Sequence, residues 1–595
     1  MVTLHVAGTR LAQKTKSIPL NKPFLVIMAL LYLIAMHFVM KNPGGSGLDL
    51  TFNHPTWIMI SLAIAMGLVQ TAKTRAFHYS KLTIGLFISC LLMSLPLLYS
   101  DSNVVESSSR IIGLWAGLLF FSTLQQFQFS NKHRQRLLWF VVLATLVEAI
   151  IGYIQYFLLE PGNAFGYDTL VNRPYGVFQQ PNVMASFLAT GLVLSGYLLA
   201  RHPKKYHRTI SAVALLYLTP AILTPLLIVL GSRTGWLGTA LAVVCMLPYV
   251  FKFAGKKRFW GWCISIVVGL LLGFIAIQSS GKSEFIVAKA DLESPRRYTL
   301  PQTLDMFIEK PISGYGYGQF EPAYILYTAR QHQLNNSYPA GLPSMDHPHN
   351  ETLLWAVEGG IVPILGLLLA AILVLSHISS ANKGTRLAMF ALFLPILLHT
   401  QLEYPFYHSA IHWFTFILLV FWVDQRTSMS KVFNISLFTK IGLKVCAPIL
   451  PFVTAIYMLT ALHSNYVLMQ YETAKVKNPD VLSQVSNIHA WQNRYDWDIY
   501  VTYLHLGLSR KDPALIQPYI DWSLDLIQRQ PRPSLYTNLI IAYQGLGDSS
   551  KAEQIRAEAQ FLFPKQDFTL INYRPKEQAI SNSASDTHSN QPADK

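Results

Sequence analysis

Long apolar runs alternate along this chain with short polar connections. Apolar stretches fall near 23–40, 55–70, 82–99, 111–129, 137–158, 182–200, 209–230, 234–252, 260–278, 352–377, 386–402, 406–423 and 445–462. A helix needs roughly 17–25 such residues to cross a bilayer. The pattern therefore predicts an all-α, polytopic membrane protein with about thirteen spanning helices. The first run follows Arg10, Lys14, Lys16 and Lys22, exceeds a signal-peptide core in length and has no small-x-small cleavage site after it. It is expected to remain as the first span.

The basic residues orient the chain. One set of connections carries Lys73, Arg75 and Lys81, then Lys132, Arg134 and Arg136, then Arg201, Lys204, Lys205 and Arg208. The same set continues with Lys256, Lys257 and Arg258, Lys383 and Arg386, and Arg426, Lys431, Lys440 and Lys444. Connections rich in Lys and Arg stay in the cytoplasm, so these and residues 1–22 are expected there. The remaining connections face outward, notably 159–181, 280–351 and everything after the last span. The expected organisation is a cytoplasmic N-terminus (1–22), nine spans (23–279), a large outer loop (280–351), four spans (352–462), an outer helical domain (463–574) and a tail of disordered composition (575–595). Within the helical domain, Pro533 to Asp548 followed by Lys551-Ala552-Glu553 has the look of one tetratricopeptide-type helix–turn–helix unit; a generic helical hairpin is the alternative.

Composition narrows the class. With 52% hydrophobic and 13% charged residues, the chain is far from a soluble enzyme. Its 47 Lys and Arg against 31 Asp and Glu give a net charge of +16. Because the excess lies in short clusters between apolar runs, it belongs to membrane topology and not to nucleic-acid binding. The four cysteines all sit in or beside apolar runs, which indicates neither a disulfide framework nor a thiolate metal site.

Candidate chemistry gathers on the outer side. Gln179-Gln180-Pro181-Asn182 opens the sixth span, Ser232-Arg233-Thr234-Gly235 the eighth, His347-Pro348-His349-Asn350-Glu351 the tenth and Glu403-Tyr404-Pro405 the twelfth. By parity all four precede inward-running helices, whose N-termini carry free N–H groups and positive dipole. With Arg233, and with Arg296 and Arg297 in the long loop, they suggest a site for a multiply charged anion such as a phosphate group. Asn182 and Ser232 taken singly read as helix caps. Arg233 stands out, since an arginine in a short hairpin between apolar helices is costly unless it snorkels or is paired. His347 and His349 with Asp346 and Glu351, or His408 with His412, fall short of a metal signature, and no metal is expected. The run Gly314-Tyr-Gly-Tyr-Gly318 lacks the Lys-Ser/Thr of a nucleotide-binding loop and reads as a turn or loop base.

On the outer face, group transfer needs a donor that has crossed the membrane already activated, such as a glycan on a polyprenyl diphosphate. Arginines and helix ends would stabilise the leaving diphosphate, and a neutral histidine is a natural base for an acceptor hydroxyl. The Gln-Pro-Asn segment, the Ser-Arg-Thr-Gly-Trp hairpin, Pro311 to Phe320 and His-Pro-His-Asn-Glu, in that order and topology, resemble the O-antigen ligase/polymerase superfamily. The Glu403-Tyr-Pro-Phe406 segment and the helical C-terminal region are most similar to its bacterial O-oligosaccharyltransferase branch, the PglL-type pilin glycosylation enzymes. That resemblance implies a GT-C-like fold in the inner membrane, with the site and tail in the periplasm. It implies en bloc transfer of an oligosaccharide from undecaprenyl diphosphate to Ser or Thr of a pilin-like acceptor protein, without metal or cofactor. It assigns catalytic roles to His349 and Arg233, a second arginine role to Arg296 or Arg297, and substrate contacts to Gln179 and Tyr404; Asn182, Asn350 and Glu403 join them as candidates from the same motifs. Ligation of O-antigen to the lipid A core, polymerisation of the lipid-linked glycan and transport are the alternatives. Transport fits poorly, because only Glu148 and Glu358 lie well inside spans while the charged clusters sit at their ends.

Overall fold

The computed structural model describes residues 20–163, 165–169, 173–202, 210–279 and 295–573. The N-terminal basic residues through Lys16, the first part of the loop expected at 280–351 and the tail beyond 573 lie outside them. The protein is a multi-pass, all-α membrane protein whose described residues include ten helices long and apolar enough to cross a bilayer.

The first helix, α1 (Asn21–Leu33), is short and ends in a 3-10 turn. Then follow α2 (Asn53–Thr74), α3 (Lys81–Ser94), α4 (Val104–Gln125), α5 (Asn131–Phe157), α6 (Pro181–Arg201), α7 (Ile210–Val229), α8 (Arg233–Ala254) and α9 (Lys256–Ser279). These match the expected spans closely. The centre of the bundle is α6, whose apolar window is entirely buried, as expected for a helix that is hydrophobic all round. Gly269 and Gly273 of α9 let it close on α7, where a Cβ at either position would meet the carbonyl of Pro220 or Pro225 at 3.0 Å.

The later spans depart from the expectation of unbroken helices. The run at 352–377 is split into α12 (Glu351–Gly359) and α13 (Ile361–Ser380), after the outer-loop helices α10 (Arg296–Glu309) and α11 (Phe320–Leu334). The break is at Gly360, whose φ of 68° belongs to the left-handed region. Broken backbone at membrane depth needs partners. The Gly314–Gly318 loop supplies them: Tyr315 and Gly316 N–H donate to the carbonyls of Val357 and Glu358 at 2.8 and 2.9 Å, and Ile361 N–H donates to Pro311 O at 2.9 Å. The glycine run is thus a loop base.

The segment 386–402 likewise divides into α14 (Arg386–Ala391) and α15 (Leu394–Thr400), and 406–423 into a single turn, α16 (Pro405–His408), and α17 (Ala410–Thr427). The last span, α18 (Leu437–Thr473), is 37 residues long. It runs without interruption through the domain boundary expected at 463. Beyond it, α19 (Gln492–Arg510) with α20 (Pro513–Leu526), and α21 (Pro533–Gly545) with α22 (Ser549–Leu562), form two helical hairpins.

Two large cores result. One joins the membrane helices. The other combines Leu504, Tyr519, Ile540 and Ile555 of the C-terminal hairpins with Met306, Tyr324, Met345 and Val357 of the outer loop and α12. The loop and the C-terminal helices therefore bury their apolar faces together, and Arg532 adds a paired contact to Glu321 at 2.9 and 3.1 Å. On the opposite side, two connections expected in the same compartment pair as an antiparallel ribbon, Ala76–Tyr79 with Lys431–Asn434.

Candidate active site

Glu403 collects residues from distant parts of the chain. It is 6% exposed, and one carboxylate oxygen accepts from Asn182 Nδ2 and from Arg296 Nη2, each at 2.5 Å. The other oxygen faces His399 Nε2 at 3.3 Å. His399 Nδ1 continues to Ser186 Oγ at 2.8 Å, and Ser186 Oγ to His412 Nε2 at 3.2 Å. Burial by itself would raise the Glu403 pKa, but the bonds and charges of His399 and Arg296 outweigh it and hold the carboxyl at about 2. The glutamate is therefore ionised and ties α6, α10 and α15 together.

Beside it stand His347, His349 and Tyr404. His349 has φ 57°, a left-handed conformation that a non-glycine residue adopts only when its surroundings impose it. Its backbone N–H donates to His347 Nδ1 at 2.9 Å, so His347 holds the turn. The Tyr404 ring lies 4.6 Å from His347 and 5.1 Å from His349, centroid to centroid. His349 Nδ1 is buried without a hydrogen-bond partner. Burial, and then the positive charge of Arg296, keep the His349 pKa below the usual histidine value of 6.5. Burial pushes the Tyr404 hydroxyl up to about 12. The arrangement offers a neutral imidazole next to a fixed guanidinium.

The arginine doublet is separated by the start of α10: Arg296 turns to Glu403, while Arg297 is exposed. Gln179 also has a left-handed φ, 55°, and its side chain borders Gly44. Gln180 caps α6, accepting from Asn182 N–H, which leaves the Asn182 side chain for Glu403. Ser232 caps α8 and Asn350 caps α12, the latter also donating to Gln401 O at 3.0 Å. Three of the four expected helix ends are therefore closed by their own side chains. The fourth, at Pro405, is a single turn and offers no helix dipole of consequence. Arg233 is exposed at the first position of α8.

A cavity of about 1130 Å³ opens next to this cluster. Its walls are largely apolar, including Leu86, Phe121, Leu368, Phe393 and Phe416, and its polar end carries Arg110, Glu351, Gln401 and Tyr407.

Comparison with known families gives three matches in chain order. Residues 174–199 match a model described as protein glycosylation ligase, 218–369 one described as O-antigen ligase, and 387–577 one described as virulence factor membrane-bound polymerase, C-terminal. The O-antigen ligase match includes Arg233, Arg296 and His349, and the glycosylation-ligase match includes Gln179 and Asn182. Among individual proteins, the chain is 22% identical over 410 residues to a general O-oligosaccharyltransferase of Acinetobacter baylyi, covering 65% of this chain and 67% of that protein. It is 21% identical over 380 residues to a ComP-specific O-oligosaccharyltransferase of the same organism, covering 60% of this chain and 65% of that protein. The second match thus spans somewhat less than two thirds of the relative.

Within this cluster, reasoning from sequence passed over Arg173. Its Nη1 donates to Leu230 O at 2.5 Å and to Gly231 O at 3.0 Å, which clamps the hairpin carrying Arg233. Its charge also acts on Glu403. The signal was present, since Arg173 lies in an outer connection between apolar spans just as Arg233 does. His399 and Ser186 were missed for a different reason: each sits within an apolar run, where nothing local separates a buried network from an isolated polar residue.

Proposed function

We propose that the protein transfers a preassembled oligosaccharide en bloc from undecaprenyl diphosphate to Ser or Thr hydroxyls of exported, pilin-like proteins. It would act in the bacterial inner membrane with its site and C-terminal hairpins in the periplasm. The observation that carries this reading is the convergence of α6, α10, the His347–His349 turn and the Glu403–Tyr404 segment, beside a largely apolar cavity whose lining includes the neighbouring Glu351, Gln401 and Tyr407. Such a cavity suits an isoprenoid chain, with the diphosphate held where Arg296, Arg173 and Arg233 lie closest to the surface.

In this reading neutral His349 takes the proton of the acceptor hydroxyl as its oxygen attacks the anomeric carbon. The bond from that carbon to the diphosphate oxygen breaks, and the electron pair leaves with the diphosphate. The arginines stabilise the charge that develops there. Glu403 is a positioning residue that orients Arg296 and Asn182. Tyr404 and Gln179 border the region a sugar would occupy. The step needs no metal, and chelators are expected to leave it intact.

The match of 387–577 to a polymerase C-terminal region favours glycan polymerisation as the second reading. Intact-mass analysis of pilin and secreted proteins from deletion and complemented cells separates the two. Loss of a glycan-sized mass on Ser- or Thr-containing peptides supports protein transfer. Shortened lipid-linked or lipopolysaccharide glycan with unchanged protein masses overturns it in favour of polymerisation. Altered attachment to the lipid A core alone would select the ligase.

A further inference from the structure

At the far end of α6, about 30 Å along its axis from Gln180, a second set of arginines gathers. Arg201 closes α6, Arg426 lies in the last turn of α17 and Arg134 in the first turns of α5. Arg201 and Arg426 meet around buried Trp422, and Arg134 stands beside them. The Arg426 guanidinium stands 4.5 Å and that of Arg201 5.5 Å from the Trp422 ring centroid, and Arg201 also covers Tyr197 at 5.6 Å. Trp422 is fixed by its indole N–H donating to Tyr197 OH at 2.9 Å. Arg134 donates through Nη1 to Gln425 O at 3.0 Å. The three are close enough to act on one another: Arg426 feels the charges of both others, and Arg134 that of Arg201.

Three observations set this cluster apart from ordinary topology-setting basic residues. The Nε of each of the three arginines is buried and has no hydrogen-bond partner. Among the described residues, no carboxylate forms an ion pair with any of them. Asp424, the acid nearest in sequence, accepts from Gln125 at 2.9 Å. Bringing three like charges together with unmet donors is costly in a site of reduced dielectric. Aromatic faces offset only part of it. A phosphate group would supply the missing acceptors, since guanidinium forks bind two of its oxygens at once.

We propose that Arg134, Arg201 and Arg426 form a phosphate-binding site at the membrane surface opposite His349, filled by the headgroup of an anionic phospholipid. The position favours a lipid over a free anion, because all three arginines lie at the ends of helices that enter the bilayer, where a headgroup phosphate is always near. The site is separate from the donor-binding end of the molecule.

The test uses the full-length protein in nanodiscs of phosphatidylcholine alone and of phosphatidylcholine with phosphatidylglycerol. Thermal midpoint and retained lipid, by native mass spectrometry, are compared for the wild type, R201Q/R426Q, R201K/R426K and the exposed-surface control K132Q/R136Q. The expected result is a rise in midpoint and retained phosphatidylglycerol for wild type and control. The rise should shrink in the lysine pair and vanish in the glutamine pair. Should the glutamine pair not fold, the lysine pair against the control decides. Stabilisation by millimolar inorganic phosphate in phosphatidylcholine, equal to that by phosphatidylglycerol, would overturn the lipid assignment for a soluble anion. Equal responses of all four proteins to phosphatidylglycerol would overturn the site.

Discussion

The two ends of α6 hold arginines in opposite ways. At the Gln180 end, Arg296 is aimed by a buried carboxylate, and Glu403 also fixes Asn182 and faces His399. At the Arg201 end, three arginines each have a buried Nε without a partner, two of them lie over aromatic rings, and none has a paired acid among the described residues. A paired guanidinium is held in a fixed place at the expense of part of its charge. An unpaired cluster keeps its full charge and waits for an anion. The first arrangement suits chemistry that needs orientation and the second suits binding, so charge counts alone do not distinguish a catalytic arginine from a retaining one.

Four outcomes sharpen or break this contrast. The largest effect is expected at the proposed base: His349→Ala should lower transfer by about 10²–10⁴-fold while the protein still inserts and retains the lipid donor. Wild-type turnover by the purified variant would remove His349 from the chemistry. Next comes the arginine doublet, where Arg296→Lys keeps a charge but loses the planar fork. Turnover should fall by about 10²-fold, on the scale of losing one stabilising donor, and Arg297→Lys should remain near normal. Equal losses would mean that aim by Glu403 is irrelevant and that charge alone matters.

Glu403→Gln strips the ionised partner from Arg296 and His399. Breaking a partly buried pair of this kind should cost about 1–3 kcal/mol, discounted because Arg296 keeps 29% side-chain exposure. A lower thermal midpoint together with reduced turnover is the expected reading. Unchanged stability would show that the pair is incidental.

The smallest effect is in pH dependence. The pKa of His349 lies below the usual 6.5, so if the proposed base is this imidazole in its neutral form, turnover should rise with pH through an inflection below 6.5 and be flat above it. Removing the positive neighbour in Arg296→Gln should move that inflection up. Removing the negative one in Glu403→Gln should move it down. Shifts of the same sign in both variants would separate His349 from this electrostatic pair.

Much of the architecture was legible beforehand. Length and apolarity predicted the helices from α2 to α9 to within about seven residues at each end, because a bilayer imposes one requirement on every span. The basic connections correctly brought Ala76–Tyr79 and Lys431–Asn434 to one side. Unbroken spans were expected at 352–377, 386–402 and 406–423, and those expectations failed at Gly360, at Leu392–Phe393 ahead of Pro395, and at Ser409, where the Asn53 side chain bonds the flanking His408 O and Ala410 N–H. Hydropathy cannot see Pro311 and the Gly314–Gly318 loop completing the hydrogen bonds around Gly360.

What the sequence by itself determined is the membrane class and the approximate positions of most of its spans. Each follows from local composition acting against a uniform solvent. Which arginine of the doublet serves, why Asn182 is free while Gln180 caps, and how Arg173 and His399 join the cluster were decided only by tertiary structure. Those choices depend on side chains up to 221 residues apart, as between Asn182 and Glu403, sharing one buried charge. The pairing energy of such a charge exists only once the helices have packed.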